Sequence, residues 1–233
     1  PLNNFAYRLR FFGDRLYMLP GGRWASQYKR PGDIMIYENN VWTSIKNADL
    51  EKAVGGHKLL DFMNVAQDPM DADHYFITTY GTGLLEMKGM SVLNLYLPSN
   101  SGLLAADPEN PEAYTRTDGA MYDDQGNLWL LNLGDASGKV HVVSPNGKWH
   151  SFDLYNNRAV TNKYVNRIAI LPVSSCIGEI SVVVLHLNTP KPSVDIPVRP
   201  ERTLRRLNSN RKSLYTEMRH PVVPSLLLRI SRM

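Results

Sequence analysis

The stretch Asp123-Asp-Gln-Gly-Asn-Leu-Trp-Leu-Leu-Asn132 constrains this chain more than any other. Asp-Gln-Gly-Asn is a tight-turn signal, with Gly126 and Asn127 suited to positive φ. Gly119 to Tyr122 precede the turn, and Leu128 to Leu131 follow it as an apolar run of strand length. The segment from Gly138 to Leu154 repeats the plan, turning at Pro145-Asn-Gly147. Four short antiparallel strands joined by Gly/Asn/Asp turns make one blade of a β-propeller.

The same grammar runs through the earlier chain. Phe5 to Phe12 and Arg15 to Leu19 flank a Gly13-Asp14 turn. Pro20 to Gly32 form a longer loop, and Asp33 to Tyr37 and Val41 to Ile45 flank Glu38-Asn-Asn40. A short helix or linker is expected over 46–57, around Ala48 to Ala53. Strands follow at 61–67, 74–80, 84–88 and 91–97, with a turn spanning Asp68 to Asp73. Residues 108–117, with two prolines and no alternation, read as an exposed excursion between blades. The last strands of successive units fall near Trp42, Asn94 and Trp149, spacings of 52 and 55 residues. The expected fold is therefore all-β. It is a partial β-propeller of about three four-stranded antiparallel blades, near 1–45, 57–97 and 117–155, within a unit over 1–165. A β-sandwich also supplies short strands and turns, but not the recurrence of strand count and turn chemistry in one order.

Beyond about Val165 the pattern stops, and 166–233 is expected to be a largely irregular basic tail. Fifteen of the 16 glycines, all four tryptophans and all six phenylalanines lie before it. Charge divides likewise: residues 1–165 hold 15 Lys/Arg against 18 Asp/Glu, and the tail holds 11 against 4. Only Ile177 to Leu187 reads as a strand there. Three readings stay open: a basic arm for nucleic acid or anionic lipid, a disordered tail, or non-native sequence such as a frame shift produces. The overall charge of +4 is thus a property of the tail, and nucleic-acid binding through the folded part is not expected. Pro1 opens the chain without a leader, which suggests a mature form or a fragment. No apolar run approaches the roughly 18 residues of a membrane helix.

Catalytic chemistry finds no constellation. Gly-x-Ser-x-Gly is absent, and the one cysteine, Cys176, lies in the tail and excludes an internal disulfide. His57, His74, His141, His150, His186 and His220 are scattered and read as surface or strand residues, so no metal and no cofactor is expected. Asp71/Asp73 and Asp123/Asp124 read as turn formers and not as calcium ligands or an acid/base pair. Gly81-Thr-Gly83 lacks the lysine and helix of a phosphate loop. Trp42, Trp129 and Trp149 recur at strand ends and are expected to pack between blades. Arg23, Trp24 and Tyr28 share a Gly/Pro-rich loop with Lys29 and Arg30. They are candidates to grip a glycan or acidic partner, although Trp24 would equally serve to plug the loop onto its blade.

Asp123 to Asn132 resembles the two-component-regulator propeller repeat, Asp-x-x-Gly-Asn-Leu-Trp. With Phe12 to Tyr17, Pro20 to Ala25, Arg30 to Trp42, Asp68 to Ile77 and Tyr80 to Glu86, the chain is similar to the N-terminal propeller of the PorZ family over 5–160. That family belongs to the type IX secretion system of Bacteroidota. The resemblance implies an exported, non-catalytic scaffold at the cell surface or outer membrane, working with protein partners of an attachment complex and near anionic lipopolysaccharide. The alternative it leaves is the periplasmic ligand-sensing propeller of a hybrid two-component regulator. The family's lipopolysaccharide contacts map onto no residue of this chain.

Overall fold

The computed structural model describes residues 1–22, 28–111, 114–134, 138–153, 167–171, 179–185 and 225–231. Alternating apolar residues and tight turns build antiparallel hairpins throughout. Strands β1 (Arg8–Phe12), β2 (Arg15–Leu19), β3 (Ile34–Glu38) and β4 (Val41–Ile45) form a four-stranded sheet in chain order. The β3–β4 turn sets Glu38 opposite Val41, and Asn39 and Asn40 both take positive φ, 51° and 61°. That pair of left-handed residues matches the twist of the flanking strands.

Helix α1 (Asn47–Ala53) follows where a short helix was expected. Its first turn is anchored from outside the helix, because the Asp33 carboxylate accepts the Asn47 N–H at 2.9 Å. Leu50 is its buried contact with the core.

Strands β5 (Phe62–Asp68), β6 (Asp71–Gly81), β7 (Leu84–Lys88) and β8 (Ser91–Tyr96) make the second sheet, and β9 (Thr115–Tyr122), β10 (Leu128–Leu133), β11 (Gly138–Val143) and β12 (Trp149–Asp153) the third. The second and third sheets join where Tyr80 and Gly81 of β6 pair with Arg116 and Thr115 of β9. Two details depart from expectation. The β5–β6 turn is only Pro69-Met70, with Asp68 opposite Asp71, so Asp71 and Asp73 lie in a strand and not in a turn. Thr115 to Thr117 belong to β9 and not to an excursion.

The tail contributes more regular structure than one strand. Besides β14 (Glu179–Leu185) in the expected place, β13 (Arg167–Leu171) and β15 (Ser225–Ser231) complete an antiparallel sheet ordered β13-β14-β15. The first strands of the four sheets begin at Arg8, Phe62, Thr115 and Arg167, in steps of 54, 53 and 52 residues. They also touch in succession, β1 with β5, β5 with β9 and β9 with β13. This is the arrangement of blades around an axis.

The described residues are thus all-β apart from α1, with the blades of a partial propeller. One apolar cluster, including Tyr17, Leu19, Ile34, Phe62, Tyr75 and Leu85, fills the space between the first and second sheets. Another, including Phe76, Leu84, Leu128 and Leu130, fills that between the second and third.

Candidate functional site

The Asp123 turn explains its own sequence. Gly126 takes positive φ, 78°, and Asn127 does not. The Asp123 carboxylate instead holds the turn: Oδ1 accepts the N–H groups of Gln125 and Asn127 at 2.9 and 2.8 Å. Its Oδ2 accepts Asn127 Nδ2 and Trp129 Nε1, each at 2.8 Å. Trp129 is buried, so its indole N–H needs this acceptor.

The same pattern recurs one blade earlier with different residues. Asp68 Oδ1 accepts the Met70 N–H at 2.9 Å, and the Nδ1–H of His74, six residues on, donates to Asp68 Oδ2 at 3.0 Å. His74 Nε2 donates to Glu86 at 2.8 Å, and Glu86 also accepts the Tyr96 hydroxyl at 2.8 Å. Burial lowers the His74 pKa, but the two carboxylates outweigh it and raise the value above the ordinary histidine range. His74 is therefore clamped between two carboxylates that favour its charged form. The signal that finds it is Asp-x5-His beside Asp-x5-Trp, which sequence reading passed over because it sought metal-type histidine clusters.

These two turns, with Ser144 to Gly147 of the β11–β12 turn, enclose a groove of about 510 Å³ between the second and third sheets. Phe76, Tyr96 and Tyr122 provide its aromatic surface, with ring centroids 6.4 Å apart from Phe76 to each tyrosine. Burial, with Asp68 and Glu86 nearby, pushes the Tyr122 hydroxyl above its ordinary pKa, so it stays protonated as a donor. Asp124, Gln125 and the strongly exposed Met70 stand at the rim. Chemically, the groove offers ring faces for stacking and acceptors for hydroxyl or N–H groups. Its other carboxylates are occupied in the turns and the His74 clamp.

Trp149 reaches from β12 to Tyr96 of β8, 5.5 Å between centroids, and so touches the neighbouring sheet. Trp42 contacts Tyr37 at 5.2 Å and Trp129 stacks on Phe152 at 6.4 Å, contacts made within their own sheets. His141 is fully buried. Its Nε2–H donates to Asn132 Oδ1 at 3.3 Å, and its Nδ1 accepts the Ser151 hydroxyl at 2.8 Å. Asn132 Oδ1 also takes the Leu104 N–H, which fixes it as the acceptor. Burial and the nearby Lys139 lower the His141 pKa to about 4.

Of the loop candidates, Arg23 and Trp24 lie outside the described residues, as do Cys176, His186 and His220. Tyr28 is half-exposed and stacks on Tyr80 at 6.5 Å with 12° between the planes. Arg116 sits over Tyr80 and Tyr114 at 5.2 and 4.4 Å. The neighbouring backbone is held by Asp61, whose carboxylate accepts the Lys29 and Arg30 N–H groups at 3.1 and 2.9 Å. The groove and the Tyr28 cluster share no residue. Asp71 pairs with Lys88, and Asp73 pairs with Arg15. Among the described residues no group of three or more His, Cys, Asp or Glu side chains is placed to hold a metal ion. Nor does any described helix have the length and apolarity to cross a membrane.

No family model matches the sequence, and no curated protein matches it significantly. In fold the chain is similar to PorZ of Porphyromonas gingivalis, an essential bacterial surface component of the type-IX secretion system, with a TM-score of 0.65 at 24% identity. The likeness covers 81% of this chain and 26% of that one. That share exceeds the 165 of 233 residues before the tail, so the match reaches past residue 165. Weaker likenesses, each with a TM-score of 0.45, are to a luciferin-regenerating enzyme and to the extracellular domain of a hybrid two component system from B. thetaiotaomicron. The first is 12% identical over 76% of this chain and 52% of the other; the second is 16% identical over 78% and 27%.

Proposed function

We propose that this chain is a non-catalytic interaction propeller, a scaffold module of a PorZ-like component of a type IX secretion machinery at the cell surface. The observation that carries this reading is the fold likeness to PorZ, which spans most of this chain and only about a quarter of the larger protein. The groove chemistry supports it. Asp68, Glu86 and Asp123 each hold a neighbouring ring or hydroxyl in place, which is the use of carboxylates in a rigid recognition surface. Rigid aromatic surfaces with satisfied polar neighbours suit contact with a protein segment or a glycan. In this reading the partners are proteins of an outer-membrane attachment complex, with anionic lipopolysaccharide or another glycan as the accompanying ligand at the Tyr28 loop.

The test is made in the source bacterium. Its gene is deleted, and a surface-tagged copy is expressed in its place. The reading expects the tag to be accessible on intact cells and to co-purify with outer-membrane secretion components. It also expects the deletion strain to retain secreted cargo. A tag that co-purifies only with an inner-membrane signalling protein, while secretion continues normally, would establish the sensor reading instead.

A further inference from the structure

Arg8 and Arg10 stand two positions apart on β1 and so share a face. Their cross-strand partners Leu19 and Tyr17 are fully buried, which turns that face toward the second sheet. Arg8 Nε donates to the Met63 carbonyl of β5 at 3.2 Å, so the pair lies where the first strands of the two sheets meet. Arg167 opens β13, the first strand of the fourth sheet.

Arg10 is anomalous. Its Nε is buried and has no hydrogen-bond partner, and its guanidinium sits over the Phe12 ring, 5.5 Å from guanidinium carbon to centroid. Burial, then the charges of Arg8 and Arg167, lower its pKa. A buried guanidinium N–H left without an acceptor is unfavourable, and an anionic ligand would supply that acceptor. Guanidinium forks match the geometry of phosphate and carboxylate oxygens. Arg167 is exposed, so the cluster can be reached from solvent.

We propose that Arg8, Arg10 and Arg167 form an oxyanion-binding site at the inner rim of the blades, taking a phosphate-type group that is either free or carried on a sugar. Arg10 supplies the buried donor, Arg8 is pre-oriented by its bond to Met63, and the Arg167 charge is near enough to act on Arg10.

The experiment titrates inorganic phosphate into the full chain at constant ionic strength, followed by ³¹P NMR, with glucose 1-phosphate as a second probe. Saturable binding of phosphate, displaced by sulfate, is expected. Arg10→Met and Arg167→Met should each weaken it about tenfold or more, the scale of one charge-assisted contact. Lys58→Met, which alters an exposed cation elsewhere, should leave it unchanged. Without phosphate, Arg10→Met should melt no lower than the parent, because it removes a partly buried cation whose Nε has no partner. Phosphate should raise the melting temperature of the parent and not of the variant. Tighter binding of glucose 1-phosphate would assign the anion to a sugar, and equal binding to the free ion. Absence of saturable binding, or affinity unchanged in both arginine variants, would overturn the site. The scaffold reading does not depend on either result.

Discussion

At the scale of single residues, Asp123 concentrates the stability of its blade. Asp123→Ala leaves the buried Trp129 N–H and two turn N–H groups without their acceptor. A loss of about 3 kcal/mol is expected from one such charged acceptor, measured by chemical denaturation. In the Trp129→Phe background the same change should cost less, because no indole N–H remains to be orphaned. The two histidines give opposite pH dependences. His141 has a folded-state pKa of about 4, below its ordinary 6.5, so the unfolded chain protonates first. Its contribution is present above the ordinary value and is lost as pH falls toward the folded one. The raised pKa of His74 does the reverse: the clamp contributes fully below the ordinary histidine value and fades as pH rises through the folded-state value. We expect His141→Gln to flatten the acid side of a stability-versus-pH profile and His74→Gln to flatten the neutral-to-alkaline side. Unchanged slopes in either variant would contradict the assignment of that group.

At the scale of elements, turn chemistry separates two kinds of glycine. Gly126 has φ of 78° and only an ordinary contact with Pro145 at its open side, so Gly126→Ala is expected to cost about 1 kcal/mol of backbone strain. Gly83 has φ of 82°, and a Cβ there would lie 2.2 Å from the Tyr96 carbonyl oxygen. That contact must move β8 relative to the β6–β7 connection. Gly83→Ala should therefore cost at least about 3 kcal/mol, and a thermal melt would rank the two. This ordering was illegible from the sequence, where both are glycines between strands. The hairpins were legible because turn residues and alternation are local properties. The β5–β6 turn was misplaced because Asp71 and Asp73 have turn-forming side chains. Register with Tyr75 to Thr79 instead draws them into a long strand, where Lys88 and Arg15 neutralise them. Trp149 contacts the neighbouring sheet, whereas Trp42 and Trp129 contact rings of their own sheets. Spacing alone cannot tell these apart, since all three sit at strand ends.

At the scale of the whole molecule, the first sheet turns Leu9 and Phe11 outward, 53% and 68% exposed, with Leu2 and Phe5 nearby in sequence and also exposed. Apolar sheet faces of this kind promote self-association. Replacing Phe11 with Glu should lower concentration-dependent light scattering of the purified chain, and scattering equal to the parent would show that this face is not the cause. What the sequence determined by itself is what depends on neighbours along the chain: strand periodicity, the Asp-Gln-Gly-Asn turn, and the recurrence of about one blade every 53 residues. It also held the step that places β13 at Arg167, although the change in composition there obscured it. Only the tertiary structure decided which rings face the groove, that Asp68 and Glu86 clamp His74, and that the buried Arg10 Nε is left without a partner. These depend on how sheets distant in sequence stack, and burial and charge act through space without regard to the order in which residues are joined.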